Sequence, residues 1–191
     1  SKDGGIANQL QRRENFEPSG LFMKPTPDYI AGFVDGEGCF ALKFRRDFKD
    51  KRKKQKEYFY WTAEFAIVLR SDDSDILRYI KETLRCGNIN FAKNRNQVRY
   101  SVQDIEKLKN IIIPFFKTNR LFGKKQYDFD LWSEDVEILY KTKRGNTINS
   151  KTGTRGFLYT NWNLKDLEKL KDIHQKMKPI KSRVKEWKWL R

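Results

Sequence analysis

Asp35, Gly36, Glu37 and Gly38 alternate two carboxylates with two glycines in four consecutive residues. They close the run Tyr29 to Phe40, YIAGFVDGEGCF, whose first part has the small and apolar character of a helix and whose end turns aromatic. A helix C-terminus is the negative end of the dipole and is usually complemented by Lys or Arg. Carboxylates there oppose that field and invite a cation. Glu37 stands where helix gives way to strand, so its carboxylate and nearby carbonyl oxygens can point the same way. Hard cations such as Mg²⁺ choose oxygen ligands of this kind and usually keep several waters. On residue types alone, a single acid beside glycines also fits a plain turn.

The rest of the composition narrows the chemistry. The chain has 191 residues, with Lys+Arg 41 against Asp+Glu 25, a net charge of +16. Such a balance points to a polyanionic partner, nucleic acid first. With His174 as the one histidine, a histidine-based zinc site or a His-containing triad is disfavoured, and His174 reads as a surface residue on a late helix. Two cysteines, Cys39 and Cys86, make no disulfide framework and suit a reducing compartment, cytoplasm or organelle matrix. Nothing near Ser1 reads as a signal peptide, and no apolar run approaches the roughly 20 residues that cross a bilayer.

The elements that must hold the acidic corner follow from hydrophobic periodicity. Residues 1–27 are polar with scattered Gly and Pro and read as a flexible arm. Asp28 is placed to cap a helix running through the motif. After Gly38 the period becomes two. Phe40, Leu42 and Phe44 alternate with Lys43 and Arg45, and a second strand alternates Phe59, Trp61, Ala63, Phe65, Ile67 and Leu69 with Tyr58, Tyr60, Thr62 and Glu64. An amphipathic helix over Ile76 to Leu84 precedes a hairpin near Asn94 to Asn96. Its polar side holds Asn88, Asn90, Gln97 and Arg99. Later helices cover the segment before Pro114, Lys124 to Lys141, and Asn163 to Met177. The predicted class is α+β: a four-stranded antiparallel sheet with helices on one face. Residues 28–140 form the expected core domain, and 141–191 a C-terminal loop and helices.

With those elements placed, the resemblance is specific. IAGFVDGEG, Ile30 to Gly38, resembles the LAGLIDADG motif of homing endonucleases, with Ile for the first Leu and Glu for the last Asp. LRSDDSDILRYIKETLRCGNINF is similar to their second helix and next strand, and NRLFGKKQYDF to the lysine-bearing entry to a later helix. The resemblance covers roughly residues 28–140. It implies the αββαββα fold, with the sheet as a DNA-binding saddle.

It further implies a site-specific, metal-dependent cut in double-stranded DNA that leaves 3′ overhangs. Glu37 would be catalytic and hold Mg²⁺, or Ca²⁺ or Mn²⁺ in its place, with help from the Gly36 carbonyl. Lys125, or Lys124 as its substitute, would be the catalytic lysine; the plainer reading of Lys125 is a phosphate contact. Asp35 would support helix packing. A polar group that some members carry at the end of the second strand corresponds here to Leu69, a departure. One motif in the chain implies a homodimer on a pseudo-palindromic target, packed through Ala31, Gly32, Phe33 and Gly36; the alternative is a close contact inside one chain. The groove-facing residues would be Lys43, Arg45, Tyr58, Tyr60, Thr62, Glu64, Asn88, Asn90, Gln97 and Arg99. Glu64 either accepts from a cytosine amino group or pairs with Arg99. A maturase acting on intron RNA and a cleavage-inactive DNA-binding protein are the alternatives on the same scaffold.

Overall fold

The computed structural model describes residues 25–48, 57–144 and 164–177. Residues 1–24 of the expected N-terminal arm (1–27) and the basic tail after Met177 lie outside the described residues; the end of that arm instead begins a helix. Helix α1 (Pro27–Glu37) is capped by Thr26, whose hydroxyl accepts from the Tyr29 N–H at 3.2 Å. Asp28 was the expected cap. Pro27 displaces that boundary, because its fixed φ and missing N–H suit the first helical position. Asp28 falls instead in the first turn, where its charge favours the dipole.

Strands β1 (Gly38–Phe48), β2 (Glu57–Arg70), β3 (Asn88–Ala92) and β4 (Gln97–Val102) pair in the order β1-β2-β4-β3, all antiparallel. Helix α2 (Ser74–Leu84) links the two hairpins and ends on Arg85, whose φ of 52° closes the helix in a left-handed turn. Helix α3 is composite: Ile105–Lys107, then Leu108–Ile112 with π geometry, then Ile113–Thr118. Pro114 was expected to interrupt this segment. The wide π turn just before it gives the ring room, so the chain stays helical through the proline. Helices α4 (Gly123–Arg144) and α5 (Leu164–Met177) complete the described chain.

The alternation settles which side is buried. Phe40, Leu42, Trp61, Ala63, Phe65, Ile67, Val98, Tyr100 and Val102 join helix residues such as Ile30, Val34, Leu77, Ile80, Ile112 and Phe116 in one core. Helices therefore cover one sheet face, as the period-two pattern implied. Phe40 is the hub of that core. Its ring centroid lies 5.3 Å from Phe65, 5.5 Å from Phe116, 5.3 Å from Phe129 and 5.0 Å from Trp132. Because Phe40 is three residues after Glu37, the acidic corner hangs directly from the best-packed part of the molecule. His174 also differs from expectation: it is half-buried, its ring edge-on to Trp61 at 5.5 Å.

Candidate catalytic corner and nucleic-acid interface

The corner forms where α1, β1 and α4 meet. Gly38 ends α1 by donating its N–H to the Val34 carbonyl. A Cβ on Gly38 would lie 2.4 Å from Val34 Cγ1 and 2.7 Å from the Val34 oxygen, so only glycine lets the strand leave this tightly. Its carbonyl accepts from Lys125 Nζ at 2.5 Å. Lys125 is half-buried, whereas Lys124 is exposed and pairs with Asp128 one turn along α4 at 3.2 Å. Of the two lysines, Lys125 is the one that reaches the motif.

Asp35 accepts from the Phe122 N–H with both carboxylate oxygens, at 2.8 and 3.0 Å. It thus ties the end of α1 to the entrance of α4, where a negative charge also suits the helix dipole. Gln126 accepts from the Leu121 N–H at 3.1 Å and closes the same turn. Glu37 is exposed and makes no hydrogen bond or ion pair among the described residues. Asp35 is consumed by structure; Glu37 is left available.

The last carbonyls of α1 lack helical donors, and Gly36 is exposed. A carboxylate beside backbone oxygens at the negative end of a helix is a fitting donor set for a hard divalent cation. Among the described residues no three His, Cys, Asp or Glu side chains cluster as metal ligands. This chain would thus supply only part of a coordination shell, and phosphate oxygens and water are the natural remainder.

The outer face of α1 carries Tyr29, Gly32 and Gly36 exposed and Phe33 half-buried. Tyr29 and Phe33 stack at 6.3 Å with planes 17° apart. A Cβ on Gly32 or Gly36 would meet nothing within 4 Å. A close contact within the described chain is therefore not what these glycines serve. Ala31 departs from the expected interface set: it is buried in the chain's own core. One residue is 100° of helix rotation, which turns Ala31 away from Gly32 toward Ile30 and Val34. Tyr29 is the exposed residue that shares the outer face with Gly32 and Gly36, and their i, i+3, i+7 spacing could have found it.

The sheet face opposite the core gathers the expected groove residues. Lys43 stands opposite Thr62, Asn90 opposite Arg99, Asn88 opposite Ser101 and Ala92 opposite Gln97. Asn88, Asn90 and Gln97 are exposed, and Lys43 and Arg99 partly so. The Thr62 hydroxyl is buried and has no hydrogen-bond partner among the described residues. Arg45 pairs with Tyr60 and Tyr58 with Asp47 in register; the side chains of Arg45, Tyr58 and Tyr60 lie outside the described residues.

Glu64 behaves differently from the rest. It is 2% exposed and receives Lys43 Nζ, Arg99 Nη2 at 2.8 Å and Gln103 Nε2 at 2.8 Å. Burial alone would raise its pKa, but hydrogen bonds from Lys43, Arg99 and Gln103 outweigh it and hold the carboxyl down at about 2. Of the two expected roles, the pairing with Arg99 is present, and no oxygen is left facing outward for a cytosine. Gln103 was missed in the sequence, although it continues the Gln97, Arg99, Ser101 alternation one step past β4.

The profile of the LAGLIDADG endonuclease family matches residues 30–136, more than half of the chain. The chain belongs to the LAGLIDADG endonuclease family. Among curated relatives, probable intron-encoded endonuclease 2 of Neurospora crassa is 29% identical over 177 residues, covering 92% of this chain and 37% of the relative. Among solved structures, the meganuclease I-SmaMI bound to uncleaveable DNA superposes with a TM-score of 0.62 at 21% identity, over 81% of this chain and 45% of that one. The homing endonuclease I-TnaI gives 0.59 at 24% identity, over 82% and 90%. At these identities the structural likeness establishes the fold. The chain spans about a third of the N. crassa relative. Near the end of β2, Leu69, the position that the resemblance implied for a polar group, is half-buried against the core, and the exposed Arg70 follows it as the last residue of the strand.

Proposed function

We propose that this LAGLIDADG chain is a site-specific, divalent-metal-dependent endonuclease that cuts double-stranded DNA as an assembly of two αββαββ units. The single observation that carries this reading is the division of labour at the corner. Asp35 and Lys125 are fixed by hydrogen bonds to Phe122 and Gly38, while the Glu37 carboxylate beside them is left open. I-SmaMI has been solved on its uncleaved DNA target in the presence of calcium ions, which supports a role for a divalent cation; in this chain Glu37 and the Gly36 carbonyl would hold Mg²⁺, with Ca²⁺ or Mn²⁺ as substitutes. A bound divalent ion would acidify water and offset charge on the leaving 3′ oxygen.

The remaining work belongs to the chain's own residues. Lys125, pinned to the carbonyl of Gly38, keeps an ammonium at the residue next to Glu37 in the chain, where it would offset negative charge building on a phosphate. The polar sheet face would lie in the major groove, whose width admits a β-ribbon. One Glu37 serves one strand, so both strands require a second unit. A second copy of this chain, apposed through Gly32, Phe33 and Gly36 with Tyr29, supplies it with C₂ symmetry and a pseudo-palindromic target. Staggered cuts with 3′ overhangs follow from the family resemblance.

The test is cleavage-site selection from a randomised duplex library with and without Mg²⁺. Wild type is expected to cut a discrete set of sites only with the metal, and Glu37→Gln to lose at least a hundredfold in rate while retaining binding. Equal cutting by the variant overturns the assignment of Glu37. Leu69 favours one second reading, a scaffold that binds DNA or intron RNA without cutting. That reading gains if wild type retains specific duplex or stimulates splicing in Mg²⁺ and never nicks.

A further inference from the structure

We propose that Glu64 is a positioning residue that sets sequence preference by clamping Lys43, Arg99 and Gln103 into one fixed donor and acceptor array on the sheet face. The inference rests on the reading of that face as a DNA surface and deepens it by naming the bases that the array suits.

Three facts converge on the clamp. Glu64 is 2% exposed, so neither oxygen is presented to a ligand. Its Oε2 takes both Lys43 and Arg99, and its Oε1 takes Gln103 at 2.8 Å. The register sets Ala66 opposite Ser101, so the Arg99 arm must cross these two small residues to reach Glu64; both are buried. The three donors come from β1, from β4 and from the residue just beyond β4, so one carboxylate joins the two strands that flank β2.

Clamping decides what each side chain has left to offer. Arg99 spends one N–H on Glu64 and keeps the others of its planar fork at a fixed angle. Lys43 keeps two of three donors. Gln103 donates through Nε2, so its amide carbonyl is the group that Glu64 leaves unspent, and the residue lines a cleft of about 210 Å³ with Asn88, Asn90 and Ser101. The outward pattern is donor, donor, acceptor. In the major groove, guanine O6 and N7 suit the first two, and an amino-bearing base, cytosine or adenine, suits the third. The local charge is one positive, the two cations less Glu64, so the centre of the sheet is weakly attractive to phosphate and must discriminate by geometry.

The experiment compares wild type, Glu64→Gln, Glu64→Asp and Gln103→Leu on a randomised duplex library in Ca²⁺. It also follows the Arg99 side-chain N–H signals by NMR without DNA. Expected for wild type are guanine at the steps under Lys43 and Arg99, and ordered Arg99 signals. Glu64→Gln should lose that preference by about tenfold per step and lose the Arg99 signals. Its salt slope should steepen by about one to two, as two released cations meet phosphate. Glu64→Asp, charged but one methylene short, should resemble Glu64→Gln. Gln103→Leu, which leaves both ion pairs intact and so guards against a folding artefact, should lose only the preference for an amino-bearing base. Unchanged preference and slope in Glu64→Gln overturn the proposal, as does loss of a single cytosine preference with Arg99 still ordered. A wild type without any preference overturns the DNA reading itself. It is told apart because the DNA-free Arg99 signals then still depend on Glu64.

Discussion

Asp135 and Glu64 are both buried carboxylates, and their partners send them in opposite directions. Glu64 has three donors and is held at about 2. Asp135, on α4, is 0% exposed with neither oxygen hydrogen-bonded among the described residues; burial, helped by the neighbouring Glu134 charge and opposed by Lys169, lifts it to about 8 from an ordinary 3.8. The linkage signs differ accordingly. Glu64 contributes stability that is complete above its ordinary 4.5 and is lost as pH falls toward about 2. For Asp135 the folded state binds the extra proton between 3.8 and about 8, so stability falls as pH rises through that window. Asp135→Asn removes the titration while keeping the shape. Denaturant melts should show the variant close to wild type near pH 4 and progressively more stable toward pH 8. The gap should widen at up to about 1.4 kcal/mol per pH unit, the value of one proton. Parallel curves for the two proteins would show that Asp135 is paired in solution.

At the scale of the element, α1 answers two questions with three glycines. Gly38 is closed, with Val34 backbone 2.7 Å from a notional Cβ, while Gly32 and Gly36 are open. In an isolated chain, Gly32→Ala and Gly36→Ala therefore meet no obstacle, and each should stabilise the helix by about 1 kcal/mol through propensity alone. If a second unit packs on this face, the same methyl groups intrude into the contact. The double variant should melt higher at dilute, monomeric concentrations and yet fail to associate in sedimentation or to cut both strands. Higher stability with intact association would show that the partner does not use this face. The four-residue spacing of these glycines was legible in the sequence, and so were the core-facing residues of β1, β2 and β4, because both follow from backbone geometry; Phe91 on the edge strand β3, expected on the apolar side, is exposed. Which side of α1 stayed open was not. That depends on Ile30, Ala31 and Val34 meeting a core assembled from β1, β2 and α4, residues distant in the chain. The role of Glu64 was half legible: alternation put it beside Arg99, but its burial needed Lys43 and Gln103 to converge from two other segments.

At the scale of the whole molecule the question is where the second catalytic carboxylate resides. The chain covers 45% of I-SmaMI but 90% of I-TnaI, so one fold neighbour is about twice its length and the other about its own. Mixing resolves which arrangement this protein uses. If the second unit is a second copy, wild type and Glu37→Gln mixed in equal amounts and allowed to exchange should form mixed pairs in about half of the assemblies, the statistical share for a C₂ dimer. Each mixed pair has one competent corner and one blocked corner, so a supercoiled substrate should accumulate as nicked circle, which neither pure preparation produces in quantity. Diluting the protein below the dissociation constant of the pair should then make cleavage rise with the square of concentration. If both corners instead belong to one polypeptide, Glu37→Gln alone should already nick, mixing should give no more nicked circle than the sum of the two separate preparations, and cleavage should scale linearly with protein. The nicked fraction therefore counts the chains that make up one cutting unit, through the same carboxylate that the fold leaves open.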